Sequence, residues 1–202
     1  MSHRRTSSRV ASAALSVLAG LSVLAAGAPA MAAEAATIPA PGPYTTLVPM
    51  AAKVGGLLLT NWVTDAVVHN PGSAAATVWV YFLEKNQDNR GAVGHEITVQ
   101  AWSSQYLGDV VATTLGRTGV TGAILLDSDV PVLVTSRTYN DQPTGTFGQY
   151  VPGFTLDRAV AGTARVRLIQ LTSTAAYRTN IGFANVTPIS TPVHVELFRA
   201  DG

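Results

Sequence analysis

Several residues in this chain carry chemistry by type and spacing. The stretch "VPVLVTSRTYNDQPTGTFGQYVPG", Val130 to Gly153, begins as a strand and runs into a turn-rich loop. On a strand, side chains alternate between faces. Leu133, Thr135, Arg137 and Tyr139 therefore share one side, and Val132, Val134, Ser136 and Thr138 the other. Arg137 can lay its stem over apolar surface while its fork reaches Asp141 or Tyr139. That makes either a ligand-binding lip or a tie between a strand end and its loop. The tie is the favoured reading, because "NDQPTG" is turn chemistry.

A second aromatic pair is Trp79 and Tyr81, two apart on one strand, with rings about 7 Å apart. Exposed together, they would stack sugar rings or a partner's apolar patch. The plainer alternative, which we prefer, is that the proline-rich segment or a neighbouring domain covers them.

Metal chemistry has less support. Asp127 and Asp129, in "DSD", are candidate calcium ligands, but the same pair suits a turn before Pro131 and is read as one. His95-Glu96 opens like a zinc-protease motif, yet Val99 stands where the second His belongs. "NQDNRG", Asn86 to Gly91, lacks the ligands of a calcium loop: Arg90 replaces an oxygen donor and Ile97 the closing Glu. There is no G-x-S-x-G elbow. Nothing pairs two carboxylates as a glycosidase requires. The expectation is a protein without catalytic residues or cofactor.

These residues sit in a chain of 202 with no cysteine, which removes disulfides and thiol chemistry. Residues 1–32 read as a secretory signal: Arg4, Arg5 and Arg9, an apolar run from Val10 to Ala28, then small residues before Ala33. An uncleaved membrane anchor is the alternative. The chain has 13 basic and 12 acidic residues. Loss of the three arginines leaves 10 against 12, a net of −2. No basic patch remains for nucleic acid.

Residues 33–50 form a Pro- and Ala-rich linker. Residues 51–160 then alternate short apolar runs with Gly, Pro, Asn and Asp turns, the spacing of an all-β sandwich or barrel. The runs are Val54–Thr60, Trp62–Asn70, Ala75–Glu84, Gly94–Trp102, Val120–Asp127 and Val130–Tyr139. Only Asp109–Leu115 looks helical, with Asp109 as cap and Gly116 as stop.

An internal repeat is also legible. Thr64–Leu83 aligns without a gap on Thr179–Phe198 at an offset of 115. Val78, Val80 and Phe82 match Val193, Val195 and Leu197, an apolar face in both copies. Trp79 and Tyr81 match His194 and Glu196, so that face is expected to be wet. Trp62, Ala66 and Val68 match Tyr177, Ile181 and Phe183 and are expected in the core. Residues 161–202 are then an incomplete second repeat, to be completed by further chain or by leaning on the first domain.

"HNPGSAAATVWVYFL", "SDVPVLVTSRTYN", "GTFGQYVPG" and "YRTNIGFANVTPISTPVHVELFRADG" resemble tandem immunoglobulin-like repeats of secreted bacterial surface proteins. The resemblance implies an immunoglobulin-like antiparallel β-sandwich with a partial second copy, outside the cell. It implies a structural or adhesive role in a larger protein, with cell-surface polysaccharide or protein as partner. It transfers no catalytic residue. A carbohydrate-binding module using Trp79 and Tyr81 is the alternative.

Overall fold

Asn70 shapes the turn that follows the strand of residues 61–70. Its Oδ1 accepts the Gly72 N–H at 2.9 Å, and its Nδ2 donates to the carbonyls of Ala74 (2.7 Å) and Val99 (3.0 Å). This side chain mimics a turn of backbone and is fully buried. A computed structural model describes residues 42–56, 60–160, 162, 164–175 and 179–199. The expected signal, 1–32, and Tyr177 lie outside the described residues.

Among the described residues the protein is all-β: nine antiparallel strands and almost no helix. They are β1 (Thr46–Gly55), β2 (Asn61–Asn70), β3 (Ala76–Glu84), β4 (His95–Val99), β5 (Ser103–Leu107), β6 (Val120–Ser128), β7 (Leu133–Gln142), β8 (Gly145–Pro152) and the short β9 (Phe154–Thr155). The order is β4-β3-β6-β1-β2-β7-β8, with β5 also on β2 and β9 on β1.

β1 joins two ladders. Thr46 to Lys53 pair with β6, while Val54 and Gly55 pair with β2. The register to β6 shifts between Val48 and Ala51. Pro49 sits in that bulge, where its missing N–H costs no ladder bond. Both ladders contribute to one core: Val48, Val68, Val78, Val80, Ile124, Leu126 and Val134 meet there, beside Val110 and Val111. These two valines belong to α1 (Val110–Thr113), the one α-helix among the described residues.

Several expectations need correction. β1 begins at Thr46, inside the stretch read as linker. Gly94–Trp102 is not one strand; β4 ends at Val99, Trp102 turns the chain at φ 56°, and β5 follows. β5 escaped notice because "SSQYL" has no apolar alternation. Trp62 is 36% exposed, not core, since it lies at the end of β2 beside the hairpin to β1. Asp109 does not cap α1 with its side chain. It takes the left-handed conformation, φ 46°, and its Oδ2 pairs with Lys53 Nζ at 2.5 Å. Gly116 does end the turn, at φ 63°.

The face assignment on β3 holds for one side and fails on the other. Val78, Val80 and Phe82 are buried. Trp79 is 40% exposed, but Tyr81 is only 6% exposed. Tyr81 packs with Leu47, Ala123 and Leu125, against Ala92, Leu156 and Val186. Gly94 lies under its ring, where an added Cβ would come within 2.6 Å. A turn of chain thus covers the half of this face that was expected to be wet.

Residues 164–175 and 179–199 carry no strand, only an isolated bridge at Ser173. Val193, Val195 and Leu197, the positions aligned with the β3 core, are exposed here, as are Ile181 and Phe183.

Candidate functional site

The outer face of β5-β2-β7-β8 gathers polar and aromatic side chains in register. Tyr106 on β5 lies opposite Val67 on β2, and Val67 opposite Thr135 on β7. One row along, Asp65 is opposite Arg137, and Arg137 is opposite Tyr150 on β8. Period-two alternation places all of these on one side of the sheet. Leu133, His69 and Ser104 make the row beyond, with His69 Nδ1 and Ser104 Oγ at 2.9 Å.

Arg137 is held from two directions. Its Nη2 donates to Thr146 Oγ1 at 2.7 Å and to the Thr146 carbonyl at 3.4 Å. Its guanidinium carbon stands 4.6 Å from the centre of the Tyr139 ring. The expected contact with Tyr139 is present. The fork, however, bonds Thr146 on the returning strand, the residue paired opposite Asp141, rather than Asp141 itself. Gly148 lies opposite Tyr139. A Cβ there would stand 2.3 Å from Tyr139 Cβ and 2.4 Å from the Thr138 carbonyl oxygen, so only glycine fits against this part of β7.

Asp65 is the hub of this face. Its Oδ2 accepts the Tyr106 hydroxyl at 2.7 Å, and its Oδ1 accepts the Asp109 N–H at 2.8 Å. Asp109 in turn holds Lys53, so a polar chain runs from β1 through α1 to the sheet face. The hydrogen bond to Asp65 pushes the Tyr106 hydroxyl above its ordinary pKa. Burial first, then the Asp65 charge, raises Tyr139 to about 12. Both phenols therefore stay protonated donors at neutral pH.

Between these side chains lies a shallow cleft of about 230 Å³, lined by Asp65, Val67, Tyr106, Thr135, Arg137 and Tyr150. Tyr106 and Tyr150 are 65% and 66% exposed at its rims. The site offers ring faces, a carboxylate and a guanidinium.

A larger cleft of about 580 Å³ opens beside the β3–β4 loop, near Glu84, Asp88, His95 and Arg117. Its charges already satisfy one another. Arg117 pairs with Glu84, and Arg90 holds Asp88 at 2.5 Å. That fork keeps the Asp88 carboxyl low, at about 2. Asn89 zips the loop by bonding both backbone groups of Glu84.

The other sequence candidates separate. With Tyr81 buried, Trp79 and Tyr81 make no shared platform. Burial, and then the Asp127 charge, raises the Tyr81 hydroxyl. Asp127 accepts the Thr45 hydroxyl at 2.6 Å, and Asp129 accepts the Thr77 N–H at 2.9 Å. Each carboxylate thus fastens its own piece of chain. Among the described residues no three His, Asp or Glu side chains converge as metal ligands. No described helix is long and apolar enough to cross a membrane.

Sequence reading found Arg137 and Tyr139 but missed Asp65, Tyr106 and Tyr150. The available signal was period-two spacing on β2 and β7. The register that joins them to β5 and β8 has no local signature.

No family model matches the chain, and no curated protein matches it. Among solved structures it is similar to Thermotoga maritima 1070, at 17% identity and a TM-score of 0.46, over 56% of this chain and 94% of that one. It is also similar to the Anabaena sensory rhodopsin transducer, at 15% identity and a TM-score of 0.36, over 46% of this chain and 93% of that one. At such scores neither likeness carries an argument about function.

Proposed function

We propose that this chain is a secreted, non-catalytic module with an adhesive role in a larger extracellular protein. Its strands form an immunoglobulin-like β-sandwich, followed by a partial second copy of the repeat. Partners are cell-surface polysaccharide or protein, bound on the outer face of β5-β2-β7-β8. The observation that carries this reading is the pair of exposed rims, Tyr106 and Tyr150, around the anchored Arg137. Tyrosine and arginine together are favoured contact residues at binding surfaces. The sandwich reading is supported by β1, which leaves one ladder for the other, and by a core drawn from both. The signal-like residues 1–32 fit export of the domain.

A binding assay with the full chain and bacterial envelope preparations tests this role. Wild type is expected to sediment with envelopes. Tyr106→Ala/Tyr150→Ala is expected to stay in solution with an unchanged melting temperature. A wild type that binds no envelope preparation contradicts the adhesive role.

A further inference from the structure

The cleft between Tyr106 and Tyr150 has the chemistry of a saccharide subsite. We propose that it takes one pyranose ring of a polysaccharide, with vicinal hydroxyls shared between Asp65 and Arg137. The inference rests on the binding role proposed above and names its ligand class.

Size favours one ring of a polymer. At about 230 Å³ the cleft is smaller than the roughly 300–1,000 Å³ of pockets that enclose a whole small ligand. It is open, so neighbouring sugars can continue along the face towards Ser104 and Leu133. Tyr106 and Tyr150 stand on the outer strands, three interstrand steps and one row apart, about 16 Å at Cα. Their rings offer the flat apolar surface on which the C–H face of a sugar rests.

The polar groups match hydroxyls. A sugar hydroxyl both donates and accepts, so it is best met by an acceptor beside a donor. Asp65 and Arg137 are directly opposed across β2 and β7. A carboxylate has about four acceptor sites. The Tyr106 hydroxyl and the Asp109 amide each take one, and the Tyr139 hydroxyl a third, which leaves about one for a ligand. The guanidinium carries five donors, and its bonds to Thr146 leave from Nη2 alone. Both groups are therefore fixed in place with capacity left over.

A protein partner fits this cleft less well. The floor between the tyrosines is Val67 and Thr135, with charges at its centre. Protein interfaces bury about 800 Å² per partner, and their cores are depleted in charge.

The test uses the full chain with envelopes left intact, oxidised with periodate to open vicinal diols, or stripped with protease. Titration with hexasaccharides of glucose, xylose, N-acetylglucosamine and galacturonic acid accompanies it. Periodate is expected to lower binding at least about tenfold, and protease to leave it within about twofold. Tyr150→Ala and Arg137→Lys should each weaken binding to at least one hexasaccharide about tenfold, while Tyr150→Phe keeps it. Binding lost to protease but not to periodate overturns the saccharide inference and leaves the adhesive role standing. If untreated envelopes do not bind, the adhesive role fails and the hexasaccharide titration decides: binding at millimolar concentration supports the subsite, and none overturns it.

Discussion

Asn185 makes the same turn as Asn70, 115 residues further on. Asn70 Oδ1 accepts the Gly72 N–H at 2.9 Å and its Nδ2 donates to the Ala74 carbonyl at 2.7 Å. Asn185 Oδ1 accepts the Thr187 N–H at 3.0 Å and its Nδ2 donates to the Ile189 carbonyl at 2.7 Å. All three positions keep the offset at which the sequence aligns. The surroundings differ. Asn70 is fully buried and also bonds Val99, whereas Asn185 is exposed.

That contrast sets unequal costs. Asn70→Ala strands buried backbone groups and should destabilise by about 2–4 kcal/mol. Asn185→Ala should stay within about 0.5 kcal/mol. Thermal melts of the two variants check this. Equal losses would mean that 179–199 shares the core of the first domain.

β3 gives a three-way comparison. Phe82→Ala and Tyr81→Ala each empty a buried ring site and should cost about 3–5 kcal/mol. Trp79→Ala, at a half-exposed position, should cost less than about 1.5 kcal/mol. Denaturant midpoints measure all three. A Tyr81→Ala variant as stable as wild type would restore the wet-face reading.

The tie of Arg137 to Thr146 predicts which partner couples. A double-mutant cycle of Arg137→Ala with Thr146→Val should give about 0.5–1.5 kcal/mol of interaction. The cycle with Asp141→Ala should be additive within about 0.3–0.5 kcal/mol. Coupling to Asp141 instead would place the fork wrongly.

Tyr139 sets an alkaline limit. Its pKa rises from 10.0 to about 12 on folding. The folded state keeps a proton that the unfolded chain gives up. Its contribution is thus fully present below pH 10 and is lost as pH climbs through about 12. Tyr139→Phe should flatten part of that fall and remove the last phenol to ionise in an ultraviolet titration. An ionisation of Tyr139 near its ordinary value would contradict the half-buried, Asp65-facing position.

Much of the strand pattern was legible because β2, β3, β6 and β7 are short runs rich in apolar and branched residues, bounded by turn residues. The polar β5 was not, and neither was the start of β1, hidden among prolines. Arg137 and Tyr139 stood out by spacing alone. Asp65, Tyr106 and Tyr150 join them only through register across four strands, which is set by the whole sheet. Tyr81 misled because alternation fixes a side, not what covers it. The cover comes from Gly94, Ala92, Leu156 and Val186, remote from Tyr81 in sequence or brought round by a loop.

Amide hydrogen exchange of the full chain, with and without bound envelope fragments, tests the binding face most directly. Bound fragments should slow exchange in 104–107, 133–137 and 145–151, where β5, β7 and β8 present the tyrosine-rimmed face, and leave 86–94 unchanged. Protection confined to 86–94, beside the larger charged cleft, would contradict the account.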